Sequence, residues 1–213
     1  MSCLLQGLPA DQRAAAAAAL TGCATLAVPG GASRPATRVP ESSVLVVEEG
    51  VVMLTSARPG ATRRMVITVA GPGSLLLPPV GDERLEGLVD SWLTAVGPDA
   101  YTALVSLPAV AATLVQALTE GLRDRQESLG LFSSVRHVER VRGKLVQLAK
   151  NHGKVVSGGV RLDLPLTHEL VGEMVGSARE TVTWSFAQLV REGFVTREGR
   201  SYRLAVAPEL LAS

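Results

Sequence analysis

Two charged residues near position 180 stand where a protein could read the edges of DNA bases. Arg179 and Glu180 follow Gly176 and open a segment in which apolar residues recur at helical spacing. At the N-terminal end of a helix in the major groove, an arginine can donate two hydrogen bonds to guanine and a glutamate can accept one from cytosine. Base recognition is therefore the chemistry that this segment predicts.

Other chemistries lack the residues they need. Ser177 has no histidine partner in the sequence pattern, and nothing resembles a nucleophile elbow, a phosphate-binding loop or a dinucleotide fingerprint. His137, His152 and His168 are not spaced as metal ligands, and Cys3 and Cys23 are too few for a four-thiolate site. The sequence predicts no enzyme, no metal and no cofactor.

Residues 164–194 predict two helices joined by a tight turn. Thr167 is suited to cap the first helix, and Gly176 can adopt the positive φ of a sharp turn. Ser177 and Glu180 fit a capping box at the start of the second helix. The apolar face of the first helix is formed by Leu170, Val171, Met174 and Val175. The inward arc of the second is formed by Val182, Ser185, Phe186 and Leu189, opposite Glu180, Thr183, Trp184, Ala187 and Arg191. Together these elements form a helix-turn-helix unit.

A basic hairpin is predicted directly after the second helix. Gly193 ends that helix, and a turn at Glu198-Gly199 separates two β runs that carry Arg197, Arg200 and Arg203. The pattern is that of a wing whose arginines contact phosphates.

Two further helices precede this unit. One covers roughly residues 135–151 and is followed by two short β runs around Gly158-Gly159. The other, residues 107–130, has Pro108 in its first turn and would be about 35 Å long. Its apolar stripe comprises Leu107, Ala111, Leu114, Leu118, Leu122 and Leu129. Periodicity alone leaves two interpretations open, a helix that packs inside one subunit or a seam between two subunits.

The N-terminal part has β texture from Val44 to about Val105. Short apolar runs are separated by turn residues about every ten positions, including Pro59-Gly60, which is typical of an antiparallel sandwich or barrel. Residues 30–40 predict a loop. Residues 20–23 resemble a lipoprotein cleavage site, but Asp11 and Arg13 break the apolar stretch that would have to precede it, so a short helix over residues 10–20 in a cytoplasmic protein is predicted.

Composition and charge agree with these expectations. The chain has 213 residues, 46% of them hydrophobic, and no uninterrupted apolar run of membrane-spanning length. Residues 1–131 hold 9 basic and 12 acidic side chains, whereas residues 132–213 hold 12 and 8. A basic C-terminal part on an acidic chain indicates that this part meets a polyanion.

The segment from Thr167 to Gly193, with Val175 to Val182 at its centre, resembles the winged helix-turn-helix of the Crp/Fnr family of bacterial transcription regulators. The run from Arg140 to Ala149 resembles the helix that opens the family's DNA-binding domain. The resemblance implies an α+β fold: an N-terminal antiparallel β-roll or jelly roll resembling a cyclic-nucleotide-binding domain (residues 1–106), a long dimerisation helix (107–131) and a winged helix-turn-helix (132–213).

Carried over by position, the resemblance assigns roles to individual residues. The base-reading residues are Arg179, Glu180, Thr183 and Trp184. The residues beside phosphates are Thr167, Ser177, Ala178, Thr181 and Arg200. The dimer helix uses Leu107, Ala111, Leu114, Leu118 and Leu122. Trp184 stands where the family often has a base-reading arginine, and Leu170 replaces an acidic residue common in the first helix.

The effector site of the family is not matched. That site needs Gly-Glu at the start of a phosphate loop and Arg-Ser/Thr-Ala at its end, but residues 78–89 begin with Pro78-Pro79 and carry Asp82, Glu83 and Glu86. Arg84 is the one candidate phosphate clamp.

The resemblance implies double-stranded DNA, a second copy of the chain and RNA polymerase as partners. The unmatched effector site, in contrast, predicts regulation without cyclic AMP. Two alternatives stand beside it: an unidentified ligand or partner acting on the roll, or an interaction module that has lost DNA binding.

Overall fold

The computed structural model describes residues 2–57 and 64–207, which divide into two compact units. The first unit contains residues 2–57 and 66–123, and the second contains residues 64–65 and 124–207. The division falls inside a long helix, between Arg123 and Asp124.

The first unit is a pair of four-stranded antiparallel sheets with helices on one side. Its strands are β1 (Ala24–Val28), β2 (Ser33–Pro35), β3 (Val44–Glu49), β4 (Val52–Ser56), β5 (Met65–Ala70), β6 (Leu75–Leu76), β7 (Glu83–Gly87) and β8 (Ser91–Val96). Its helices are α1 (Ala10–Leu20), α2 (Pro98–Val105) and the first part of α3 (Pro108–Leu131), with short 3-10 turns at Cys3–Leu5 and Ala36–Arg38. The sheet orders are β1-β8-β3-β6 and β2-β7-β4-β5.

Strand β3 begins with four consecutive apolar residues because both of its faces are covered. Leu45 and Val47 point between the two sheets, whereas Val44 and Val46 point to the other side, where the helices cover them. All four are buried. Alternate residues of a strand face opposite sides, so a strand covered on both faces needs apolar residues at every position.

Two expectations for this unit are wrong in detail. The region of β texture ends at β8, because residues 98–105 form α2, with Pro98 in its first turn and Leu104 fully buried. Residues 30–40 are not all loop, since β2 pairs with β7 and a 3-10 turn follows it. The predicted helix at residues 10–20 is confirmed as α1. The predicted turn at Pro59-Gly60 lies outside the described residues.

The second unit contains the last part of α3, four more strands and three helices. The helices are α4 (His137–His152), α5 (His168–Val175) and α6 (Arg179–Arg191). The strands β9 (Lys154–Val156), β10 (Gly159–Leu162), β11 (Val195–Glu198) and β12 (Ser201–Leu204) form one sheet in the order β11-β12-β10-β9. Both predicted hairpins, around Gly158-Gly159 and Glu198-Gly199, are confirmed.

A buried polar cluster joins the end of α3 to α4. Lys144 is 5% exposed, and its ammonium donates to Ser128 Oγ at 3.0 Å and to Gln147 Oε1 at 2.8 Å. Gln147 in turn donates to the backbone carbonyl of Asp124, and Asn151 donates to the Asp124 carboxylate. Burial lowers the pKa of Lys144 to about 8, against the opposing attraction of Asp124 and Glu127.

His152, at the C-terminal end of α4, lies beside this cluster. Its Nε2 atom is inaccessible to solvent and has no hydrogen-bond partner within the described chain. Burial lowers the pKa of His152 to about 4, with Lys144 adding repulsion and Asp124 opposing it.

We expect the second unit to lose stability when the pH falls below the ordinary histidine pKa. Between the unfolded pKa of 6.5 and the folded pKa of about 4, the unfolded chain binds more protons at His152 than the folded chain. The stabilisation is complete above pH 6.5 and declines as the pH falls towards 4. At pH 5.5 the loss in the free energy of unfolding is about 1 kcal/mol.

Urea unfolding at pH 7.5 and 5.5, at one protein concentration, measures this loss. Replacing Trp92 by phenylalanine leaves Trp184 as the sole tryptophan, so its fluorescence reports on the second unit. His152→Phe cannot take up a proton at this position. Between the two pH values its free energy of unfolding should therefore fall by about 1 kcal/mol less than that of the protein with His152. Equal losses in both proteins would contradict the assignment.

Candidate nucleic-acid interface

Two glycines set the angle between α5 and α6. Gly176 has φ +63°, the left-handed conformation predicted for the turn. Gly172 allows the turn to approach α5, because a Cβ there would lie 2.5 Å from the carbonyl oxygen of Ser177. The Ser177 N–H donates to the Gly172 carbonyl at 2.9 Å. Gly172 was not predicted from the sequence, because the need for glycine at this position comes from a neighbouring residue rather than from its own φ.

The predicted capping box at the start of α6 is wrong. The N-cap residue is Ala178, which makes no side-chain hydrogen bond to the helix. Ser177 comes one position too early to cap, is 4% exposed, and places its hydroxyl 2.7 Å from Nδ1 of His137 at the start of α4. A hydroxyl enclosed in this way is not presented to a phosphate.

The contact with His137 corrects the expectation that Ser177 has no histidine partner. It does not make Ser177 a nucleophile, because the hydroxyl is enclosed and the amide is already bonded to Gly172. The pair instead ties the first turn of α4 to the turn between α5 and α6.

Helix α6 has the two faces that the sequence predicted. The inward arc is buried and consists of Val182, Ser185, Phe186 and Leu189. The Ser185 hydroxyl is satisfied by donating to the carbonyl of Thr181 at 2.8 Å. Four residues predicted to read bases are exposed: Arg179, Glu180, Thr183 and Trp184. Trp184 is 63% exposed, which is unusual for an indole and leaves its apolar surface free for a contact.

One residue on this surface was missed from the sequence. His168, the first residue of α5, places Nδ1 2.8 Å from the hydroxyl of Thr183 and stacks on Phe186 with ring centroids 4.8 Å apart. Burial, followed by the positive charges of Arg197 and Arg179, lowers the pKa of His168. Its partner lies 15 residues along the chain, so no local motif reveals the contact.

The wing carries three arginines, of which one is held by an ion pair. Arg203 donates to the Glu198 carboxylate at 2.6 Å, and Arg197 donates to the carbonyl of Gly199 at 3.2 Å. Arg200 lies at the hairpin turn and is exposed. Thr167 caps α5 by accepting from the N–H of Leu170 at 3.0 Å, as predicted. Its hydroxyl proton therefore remains available for donation.

The arginines of α4 are used inside the unit. Arg142 pairs with the Glu192 carboxylate and lies over the Phe194 ring at 4.5 Å. Arg140 donates to the carbonyl of Ser134 at 2.7 Å and lies over Phe132. These contacts fix the positions of α4 and of the chain after α6, so the basic character of α4 is largely structural.

The loop before β7 in the first unit is internally satisfied. The N–H of Val80 donates to the Glu83 carboxylate at 3.0 Å. Arg84, the candidate phosphate clamp, donates to the Ser33 hydroxyl at 2.7 Å. Beside it on β7, the buried Glu86 accepts from Thr55 at 2.8 Å. The strand therefore places a buried carboxylate where the family resemblance would put an anion.

The apolar stripe of α3 is divided between two environments. Leu114 is buried in the core of the first unit, with Leu107 and Leu118 packed against that core. Leu114 is therefore not available for a subunit seam, which corrects the predicted set. The large apolar residues that α3 leaves exposed are Val115, Leu122 and Leu129, seven positions apart. A spacing of seven keeps side chains on one side of a helix.

Residues 2–57 and 64–207 offer no candidate for a metal site or a membrane span. No three histidine, cysteine, aspartate or glutamate side chains there are grouped to hold a metal ion. No single helix in the same part of the chain is long and apolar enough to cross a membrane. Helices α2 and α3 reach the required length and hydropathy only when taken together, and they are bent by 110° at their junction.

Comparison with known proteins agrees with this geometry. Residues 139–212 match the family model of the Crp-like helix-turn-helix domain. A CRP-like cAMP-activated global transcriptional regulator of Mycobacterium tuberculosis is 26% identical over 180 residues, which cover 80% of this chain and 79% of that protein.

Two solved structures share the fold over most of their length. A CRP/FNR-family transcriptional regulator from Thermus thermophilus has a TM-score of 0.64 and 22% identity, covering 89% of this chain and 96% of that one. A mutant of CooA from Carboxydothermus hydrogenoformans has a TM-score of 0.72 and 20% identity, covering 92% and 88%.

The fold and the site define a transcription regulator with a helix-turn-helix DNA-binding domain, and not an enzyme. Residues 139–212 thus carry a Crp-like helix-turn-helix domain, and the chain is similar over most of its length to regulators of the CRP/FNR type.

Proposed function

We propose that the chain binds double-stranded DNA sequence-specifically as a homodimer on a near-palindromic operator, in the cytoplasm, without control by cyclic AMP. The observation that carries the proposal is the exposed polar N-terminal half of α6, in the same compact unit as a hairpin that carries the exposed Arg200. RNA polymerase is the partner through which such a regulator would act. The proposed division of the chain is a roll, a dimerisation helix and a winged helix-turn-helix at residues 1–106, 107–131 and 132–213.

Arg179 and Glu180 are proposed as the main base-reading residues. Both are exposed in the first turn of α6, where a recognition helix enters the major groove. Arg179 would donate to O6 and N7 of guanine, and Glu180 would accept from N4 of cytosine. Trp184, one turn further on, offers a flat apolar surface suited to a thymine methyl group.

Phosphate contacts are proposed for Thr167, Ala178, Thr181 and Arg200. Thr167 and Ala178 lie at the N-terminal ends of α5 and α6, where backbone N–H groups and the helix dipole favour an anion. Ser177 is left out because its hydroxyl is held by His137.

We expect Arg179→Ala and Arg200→Ala to weaken DNA binding in different ways. Loss of the bidentate guanine contact should cost about 1–3 kcal/mol on the specific site and relax base preference at one position. Loss of Arg200 should weaken all sequences alike and reduce the slope of log K against log salt by about one.

Fluorescence-anisotropy titrations at several salt concentrations, combined with binding-site selection, separate the two effects. An unchanged preferred sequence in Arg179→Ala would refute the base-reading assignment. Wild-type protein that binds no duplex would instead favour the alternative of an interaction module that has lost DNA binding.

The exposed side of α3 supports the homodimer. Val115, Leu122 and Leu129 repeat every seven residues, which is the pattern of a helix that packs against a second helix along a seam. A two-fold dimer would present two recognition helices about 34 Å apart to two half-sites.

Leu122→Glu should therefore dissociate the dimer, because it places a charge in the seam. Leu77→Glu is the matched control, since Leu77 is 55% exposed against 57% for Leu122 but lies on the roll. Multi-angle light scattering at micromolar concentration should give a dimer for wild type and Leu77→Glu and a lower mass for Leu122→Glu. A monomeric wild type, with and without DNA, would refute the homodimer.

Control by cyclic AMP is not proposed, although the mycobacterial relative is described as cAMP-activated. Pro78 and Pro79 supply no N–H donors, the Val80 N–H is bonded to Glu83, and Arg84 is bonded to Ser33. Glu86, buried in β7, would repel a phosphate.

Adding cyclic AMP at fixed salt should leave the affinity for operator DNA unchanged. The same titration with other cyclic mononucleotides and cyclic dinucleotides tests the alternative of a different ligand acting on the roll. A tenfold increase with cyclic AMP, about 1.4 kcal/mol of coupling, would overturn the prediction.

A further inference from the structure

We propose that His168 is a positioning residue that makes Thr183 a hydrogen-bond acceptor on the recognition helix, so that Thr183 selects a base presenting an amino group. The inference rests on the proposed DNA-binding function. It adds a residue outside α6 to the determinants of base preference.

The position of one proton follows from two distances. Thr183 Oγ1 lies 2.9 Å from the carbonyl oxygen of Arg179. Of these two oxygens only the hydroxyl carries a proton, so that proton must lie between them. The same Oγ1 lies 2.8 Å from His168 Nδ1. With its only proton already donated, Thr183 accepts from Nδ1, which therefore carries a hydrogen.

The imidazole is held in the orientation that this hydrogen bond needs. His168 stacks on Phe186 at an interplanar angle of 20°, and Phe186 itself packs on Tyr202 of β12, with ring centroids 5.3 Å apart. Phe186 and Tyr202 are both buried. The ring of His168 thus lies on a support built from α6 and the wing, which fixes the plane of the ring, and the contact of Nδ1 with Thr183 defines which edge faces that hydroxyl.

The charges around the ring favour its neutral form. Burial lowers the pKa of His168, and the positive charges of Arg197 on β11 and Arg179 on α6 lower it further. At pH 7.5 the ring is neutral with its proton on Nδ1. The donor to Thr183 is present in this form and also in the protonated ring.

The second lone pair of Thr183 Oγ1 determines which bases the residue can contact. A free threonine hydroxyl rotates and can donate to or accept from a base. Held between His168 and Arg179, Thr183 keeps a single lone pair for a base. Adenine N6 and cytosine N4 donate in the major groove, whereas guanine O6 and thymine O4 would face this lone pair with another.

Three variants at two positions isolate the effect. Thr183→Val keeps the shape and removes the hydroxyl. His168→Phe keeps the aromatic stack and removes the N–H. His168→Asn places an amide donor near the position of Nδ1 and should restore the contact. Thermal unfolding of each full-length variant establishes that it is folded before binding is measured.

Binding-site selection from a randomised duplex library at pH 7.5 and fixed salt is the main experiment. Wild type should enrich adenine or cytosine over guanine and thymine roughly fivefold or more at one position of each half-site. Thr183→Val and His168→Phe should both lose this preference while keeping those set by Arg179 and Glu180, and His168→Asn should regain it. An undiminished preference in His168→Phe, or an equal loss of affinity for all sequences, would overturn the inference.

A second measurement needs no DNA. Long-range ¹H–¹⁵N NMR of the full chain labelled at histidine, with His168→Phe to assign the signal, should show His168 protonated at Nδ1. Protonation at Nε2 alone would overturn the inference and leave the proposed function untouched. If wild type enriches no sequence at all, the proposed function fails, and the inference fails with it.

Discussion

The close approach of the turn to α5 at Gly172 is the constraint on which the site depends. The Ser177 carbonyl occupies the space that any larger side chain at position 172 would need, and the Ser177 N–H bonds back to the same residue. Gly176 reverses the chain between them. This contact fixes where α6 begins and how it leaves α5, and hence which face of α6 is exposed. The His137–Ser177 hydrogen bond extends the constraint to α4.

The unit separates its structural cations from its exposed ones. Arg140, Arg142 and Lys144 are engaged in cation–π contacts, an ion pair and buried hydrogen bonds. Arg179 on α6 and Arg200 at the turn of the wing are exposed. An excess of positive charge over a whole sequence segment therefore says less about a polyanion than the positions of a few arginines, because paired cations contribute little external field.

Much of the second unit could be predicted because its signals are local. Thr167 as an N-cap, Gly176 as a left-handed turn residue and Glu198-Gly199 as a hairpin turn each depend on a residue's own backbone preference. The capping role predicted for Ser177 was wrong because α6 begins at Arg179, which makes Ala178 the N-cap residue. The Ser177 hydroxyl instead contacts His137, 40 residues earlier in the chain. Gly172 and His168 could not be found, since their roles come from neighbours that only the fold brings close.

The first unit was less accessible to prediction for related reasons. Helix α2 contains Tyr101, Thr102 and Val105, residues with β preference, and becomes helical where Leu104 packs into the core. For α3, the spacing predicted an apolar stripe but not which apolar side chains are buried in the core of the first unit. Leu114 and Val115 are adjacent in sequence, yet the first is buried and the second is exposed. The competing interpretations of this helix thus describe two sides of one element.

The last two turns of α3 belong to the second unit, because they make buried hydrogen bonds with α4. Cutting the chain at residue 132, where the sequence predicted that the winged helix-turn-helix domain starts, would remove Ser128 and Asp124 from Lys144, Gln147 and Asn151. It would also remove the Leu131 side chain that packs against Gly143 of α4. Lys144 would lose one of its two hydrogen-bond acceptors, Ser128, and the side-chain amide of Gln147 would lose its acceptor, the Asp124 carbonyl. The compact unit that contains the helix-turn-helix therefore begins inside the long helix, and a shortened chain that keeps these buried contacts must include at least the last two turns of that helix.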